Sequence, residues 1–109
     1  MTNEYPYVTR LDVKFKHFEL IDIPEIVKNC NDKWFNQTLT KVNDSVVRIG
    51  IVQGEYHWHK HDNDDEFFFV LDGQNQGVTI SKGVMHRPRA PRKTVMLMVE
   101  TSAIQPTGD

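Results

Sequence analysis

The sequence is short of cysteine, of net charge and of long apolar runs, and each shortage removes a class of protein. Cys30 is its one cysteine, so no disulfide within the chain can hold the fold, and stability has to come from packing or a metal. Lys and Arg number 13 against 15 Asp and Glu, a formal net charge of −2. That balance excludes the basic excess of a wholesale nucleic-acid binder. No apolar stretch approaches the ~20 residues that span a bilayer, and residues 1–7 lack both the basic and the apolar parts of a secretory leader. The expected setting is reducing and cytoplasmic, with no nucleic-acid or membrane partner. At 109 residues the chain fits one domain, 1–109, read as an arm and short helix over 1–35 and a barrel over 36–109.

Helical text is confined to one place. Asp22 suits an N-cap and Pro24 a first turn, which predicts a short helix over 25–30 closed by Asn31 and Asp32. Beyond it the pattern turns to strands. Residues 37–42 alternate, Asn43 and Asp44 mark a turn, and 45–52 are rich in β-branched residues, so the two stretches read as a hairpin. Further strands are predicted over 54–61, 66–71, 78–80 and 94–100, with Pro88 and Pro91 breaking the chain before the last. Many short strands with regular turn signals indicate an all-β barrel or sandwich.

Histidines are concentrated in one of those strands. With a side-chain period of two, His57, His59 and His61 share a face. Three imidazoles are costly to bury unpaired, and a divalent metal satisfies them well. Glu66 opens the next strand, and an antiparallel hairpin would return its carboxylate to the histidines. His17 stands apart, as an exposed or locally bonded residue.

The run from Gly54 to Gly73 resembles the first motif of the cupin superfamily. His59 and His61 bracket one residue, four residues lead to Glu66, and six more separate Glu66 from Gly73. Pairing His57 with His59 instead would put Asp64 and Leu71 in the carboxylate and glycine slots, a poorer match. Residues 81–86, ending in Gly83-Val84-Met85-His86, resemble the end of the second cupin motif, with Ser81 in the proline place and Ala90 in the asparagine place. The resemblance implies a small antiparallel β-barrel or jelly roll. It also implies a divalent metal (Zn, Ni, Mn or Fe) held by His59, His61, Glu66 and His86, and a homodimer, which is common among small cupins.

The chain departs from that pattern between the motifs. Anchoring the second on Gly83 and His86 leaves Gln74 alone between them, where two strands and a turn need about 12 to 16 residues. A barrel trimmed by one hairpin, a wall supplied by a partner chain, and a sequence lacking a segment all fit this.

With Glu66 inward, Phe68 and Val70 line the interior while Phe67, Phe69 and Leu71 face out, to be covered by the N-terminal arm or by a twofold partner. Strand 94–100 is apolar on both faces, with Met96 and Met98 read as packing rather than ligands. Arg87, Arg89, Arg92 and Lys93 form either a solvated loop or a guide for an anionic substrate through Arg87 or Arg89. The pocket is therefore expected to include His57, Phe68, Val70 and Arg87, with His57 as candidate proton acceptor. Two functions follow. One is a metal-dependent enzyme acting on a small polar or anionic molecule; the other is a non-catalytic small-molecule or metal-binding module or sensor. Sugar binding without metal, on Phe68 and Trp34, is a third, although Trp34 suits simple core.

Overall fold

A computed structural model describes residues 7–72 and 74–108. Gly73, which closes the first motif, lies outside the described residues, as does the start of the N-terminal arm. Six strands form one mixed sheet: β1 (Val8–Arg10), β2 (Trp34–Val42), β3 (Ser45–Glu55), β4 (Glu66–Val70), β5 (Gln76–Ile80) and β6 (Arg89–Thr101), with helix α1 (Ile23–Lys28) between β1 and β2. The order across the sheet is β1-β2-β3-β6-β4-β5, with β1 parallel to β2 and the other pairs antiparallel. The hydrogen-bond ladder thus ends on β1 and β5 instead of closing on itself. Among the described residues no helix is long and apolar enough to cross a membrane.

The helix begins two residues before its predicted start and stops two earlier. Asp22 caps it by accepting from the Glu25 amide at 3.2 Å, and Pro24 occupies the first turn, where its missing N–H costs nothing. The predicted hairpin is β2–β3, turning at Asn43 in the left-handed region, φ 53°.

Three strand expectations need correction. Residues 56–61 leave the ladder: β3 ends at Glu55, after Gly54 at φ 103° and a register shift between Val52 and Gly54. An isolated antiparallel bridge between His59 and His86 remains there, with backbone hydrogen bonds from Tyr56 to Pro88 and from Gly83 to His61. Glu66 accordingly does not return on a hairpin beside the histidines; its strand pairs with β5 and β6. Pro91 does not break the chain either, because β6 runs through it. It stands opposite the same shift, where three residues of β6 face Gln53 alone and an absent N–H leaves no gap in the ladder. Between the motifs, β5 follows β4 through one tight turn containing Asn75 at φ 51°.

Alternation along the strands divides the core in two. Trp34, Val52, Met96 and Met98 form one apolar cluster with Tyr56 and Ala90, against which Phe68 and Val70 pack. The opposite face carries Leu39, Ile49, Ile51 and Val95, and against it pack Leu71 and Leu97 together with Ile23, Ile26 and Val27 of α1. The helix therefore covers part of the face that Leu71 occupies. Phe67 and Phe69, half-buried, stack on each other with centroids 6.3 Å apart. Strand β6 is not apolar on both faces to its end: Val99 is 40% exposed, and Glu100 is buried.

Candidate metal centre

Two loops and one strand end build the site. The loop after β3 supplies His59 and His61, β4 opens with Glu66, and the loop before β6 supplies His86. The loops are stitched together by backbone hydrogen bonds. The His59 amide donates to the His86 carbonyl (3.0 Å), the His86 amide to the His59 carbonyl (2.8 Å) and the Gly83 amide to the His61 carbonyl (2.7 Å). Gly83 sits at φ 79°, a conformation glycine takes without strain.

One ligand atom from each of His59, His61, Glu66 and His86 lies within 4.8 Å of all the others. Glu66 Oε1 stands 3.2 Å from His86 Nε2 and 3.5 Å from His61 Nε2. His59 and His86 donate their Nδ1 protons to the carbonyls of His57 (3.0 Å) and Val84 (2.9 Å), which leaves the His59 Nε2 as an acceptor, while the His86 Nε2 donates to Glu66 Oε1. Both ring nitrogens of His61 are buried with no hydrogen-bond partner. Orphaned imidazole nitrogens beside a carboxylate are what a cation satisfies, so the residues fit the ion expected of them.

The charges follow the geometry. Burial holds His59 down at about 4, helped by the neighbouring His86 and His61. Burial pushes the Glu66 carboxyl up, but the neighbouring His61, His86 and Glu100 outweigh it and keep the group ionised, well below the usual carboxylate range. Its contact with Glu66 raises His86, against the effect of burial.

The expected pocket residues divide. Phe68 lines both the small space beside His59 and Glu66 and a larger cavity beside His86, which Val70 and Arg87 also line. Arg87 stacks over the Trp58 ring at 5.1 Å and pairs with Glu55 at 3.2 Å. His57 lies outside the four-residue group. Its Nε2 donates to the Thr107 carbonyl (2.6 Å) and its Nδ1 meets Tyr7 Oη (3.4 Å). His17 is exposed, its Nε2 3.2 Å from the Lys41 carbonyl. Trp34 packs with Tyr7 and Tyr56 in the core.

Sequence reasoning missed Glu100. One step beyond the Phe67–Val99 pair, it faces Glu66 across β4 and β6, 3% exposed, with Arg48 Nη1 2.7 Å from its Oε1. Burial and the Glu66 carboxylate push it up to about 9. The signal was present: Glu100 continues the period-two row of Met96 and Met98.

No protein-family model matches the chain. It is 36% identical over 90 residues to the uncharacterized protein YdbB of Bacillus subtilis (strain 168), covering 69% of this chain and 80% of that one. A cupin-2 domain containing protein from Shewanella frigidimarina NCIMB 400 superposes with a TM-score of 0.63 at 26% identity, over 75% of this chain and 94% of that chain. The conserved SPY1581 protein of unknown function from Streptococcus pyogenes shares the fold at 17% identity with a TM-score of 0.65, over 91% of this chain and 96% of its own. Strand order, the His59–His61–Glu66–His86 group and these likenesses lead to one conclusion: the chain belongs to the cupin superfamily, in the same family as YdbB.

Proposed function

We propose that this cupin holds a divalent ion on His59, His61, Glu66 and His86 and uses it to act on a small molecule bound alongside. The observation that carries the reading is His61, whose two buried nitrogens have no protein partner while one of them faces Glu66. A bound ion supplies Lewis acidity or, if it is iron, a place for dioxygen. The donor set accepts Zn²⁺, Ni²⁺, Mn²⁺ and Fe²⁺ alike.

The protein's own groups describe the substrate. A cavity of about 260 Å³ adjoins His86, walled by Val52, Phe68, Val70, Val78 and Ile80, with Arg87 and Arg89 among its lining. Such walls suit a small molecule with an apolar body and an anionic end. Arg89, exposed and 4.0 Å from Glu55, is freer than Arg87 to meet that end. The His57 Nε2 is taken up by the Thr107 carbonyl, and the His57 carbonyl, accepting from His59, makes the residue a support for that ligand. We place the protein in the cytoplasm as a twofold homodimer joined through Phe67, Phe69 and Val99, which sedimentation would test.

Elemental analysis of protein purified without added metal should find close to one ion per chain, and a screen of small carboxylates should show turnover that a chelator abolishes. Metal-free protein that takes up no ion overturns the reading. The small space beside His59 and Glu66, about 20 Å³, favours a second reading, a non-catalytic binder or sensor. Tight binding with no turnover in that screen would select it.

A further inference from the structure

Asn36 is not part of either motif, yet it is 5% exposed and its Oδ1 has no hydrogen-bond partner. Leaving a buried amide oxygen without a partner is destabilising, so its persistence calls for an explanation. The residue lines the small space that His59 and Glu66 also line, the rest of whose wall includes Trp34, Phe68, Met96 and Met98. At about 20 Å³ that space exceeds the roughly 10–15 Å³ that one water requires. A buried water also wants two to four polar partners, and Asn36, His59 and Glu66 are three.

The backbone keeps this arrangement open. Asn36 pairs across the sheet with Gly50, which pairs in turn with Met96. A Cβ on Gly50 would come 3.0 Å from Met96 Cε and 3.4 Å from Asn36 Oδ1. Glycine there lets Met96 close the space from one side without pressing on the amide.

We propose that Asn36 is a further functional residue of the site and holds a single water, or the ligand atom that displaces it, in the small space it shares with His59 and Glu66. The water donates one proton to Asn36 Oδ1 and the other to the His59 Nε2 or the Glu66 carboxylate. Asn36 thereby positions the one solvent molecule that the apolar walls admit. Only the metal-affinity measurement below rests on the proposed ion.

The test uses the full chain with Asn36→Leu, which keeps the volume and removes the amide, and Asn36→Asp, which keeps the acceptor. Crystal structures that resolve ordered water should show one bonded to Asn36 in the metal-free wild type and none there in Asn36→Leu. Affinity for Zn²⁺ should fall about tenfold in Asn36→Leu and hold in Asn36→Asp, a rescue that loss of packing would not give. A dry space in the wild type, or the same water retained in Asn36→Leu, overturns the proposal. So does Zn²⁺ affinity unchanged by Asn36→Leu. A wild type that takes up no Zn²⁺ would count against the ion alone, and the crystallographic result would still decide the role of Asn36.

Discussion

The two faces of the sheet are built from the same strands and do opposite things. On one, Leu39, Ile49, Ile51 and Val95 meet α1 and the chain before it, and the contacts are apolar. On the other, the aromatic and methionine cluster shares its surface with Asn36, Arg48, Glu66 and Glu100, buried groups that water would solvate far better. The first face gains stability from burial. The second gives some of it up to hold charge and orphaned polar atoms where a ligand can use them.

Breaking each face should therefore break a different property. The largest expected effect is on the polar face: changing His59 and His61 together to Ala should lower metal affinity by at least about 100-fold. Unfolding of the metal-free variant should stay cooperative. Elemental analysis and circular dichroism read the two outcomes. On the apolar face, Ile49→Ala empties a fully buried position and should cost roughly 2–5 kcal/mol in denaturant unfolding with metal stoichiometry intact. Loss of metal in that variant would mean that the faces are coupled.

Acidity sharpens the contrast, because the perturbed groups lie on the polar face. Glu100 keeps its proton in the fold up to about 9, whereas in the unfolded chain it ionises near the ordinary carboxylate value. The folded state then binds the extra proton, and the contribution of Glu100 to stability is lost as pH rises toward 9. His59 works in the other direction: neutral in the fold down to about 4, it costs stability as pH falls below its ordinary 6.5. Metal-free protein should thus lose stability between pH 7 and 9, and Glu100→Gln should flatten that slope in thermal scans taken across the range. The smallest effect belongs to the helix that shields the apolar face. Asp22→Ala removes the cap and should cost about 1 kcal/mol, with no change in metal affinity.

How far the sequence discloses each face follows from the range of the interactions. Period-two patterns mark the strands, and the His59–His61–Glu66 spacing marks most of the site, since both are local. The route by which Glu66 reaches the histidines was not legible. Gly54 takes the chain off the ladder, and the partner it then finds, His86, is 27 residues from His59 in sequence. Asn36 and Glu100 escaped for a similar reason. Asn36 stands among other polar residues of β2 and Glu100 follows an apolar run in β6, and the meaning of each depends on which side chains come to face it across the sheet.

The last described residues pass close over a ligand. Gly108 takes φ +97°, and a Cβ there would come 2.7 Å from His59 Cβ; Thr107 beside it accepts from His57, whose own carbonyl holds His59. A single methyl at position 108 would press directly on the imidazole at the centre of the site. The placement of His59 is in this way set from far along the chain, by residues outside the four-residue group.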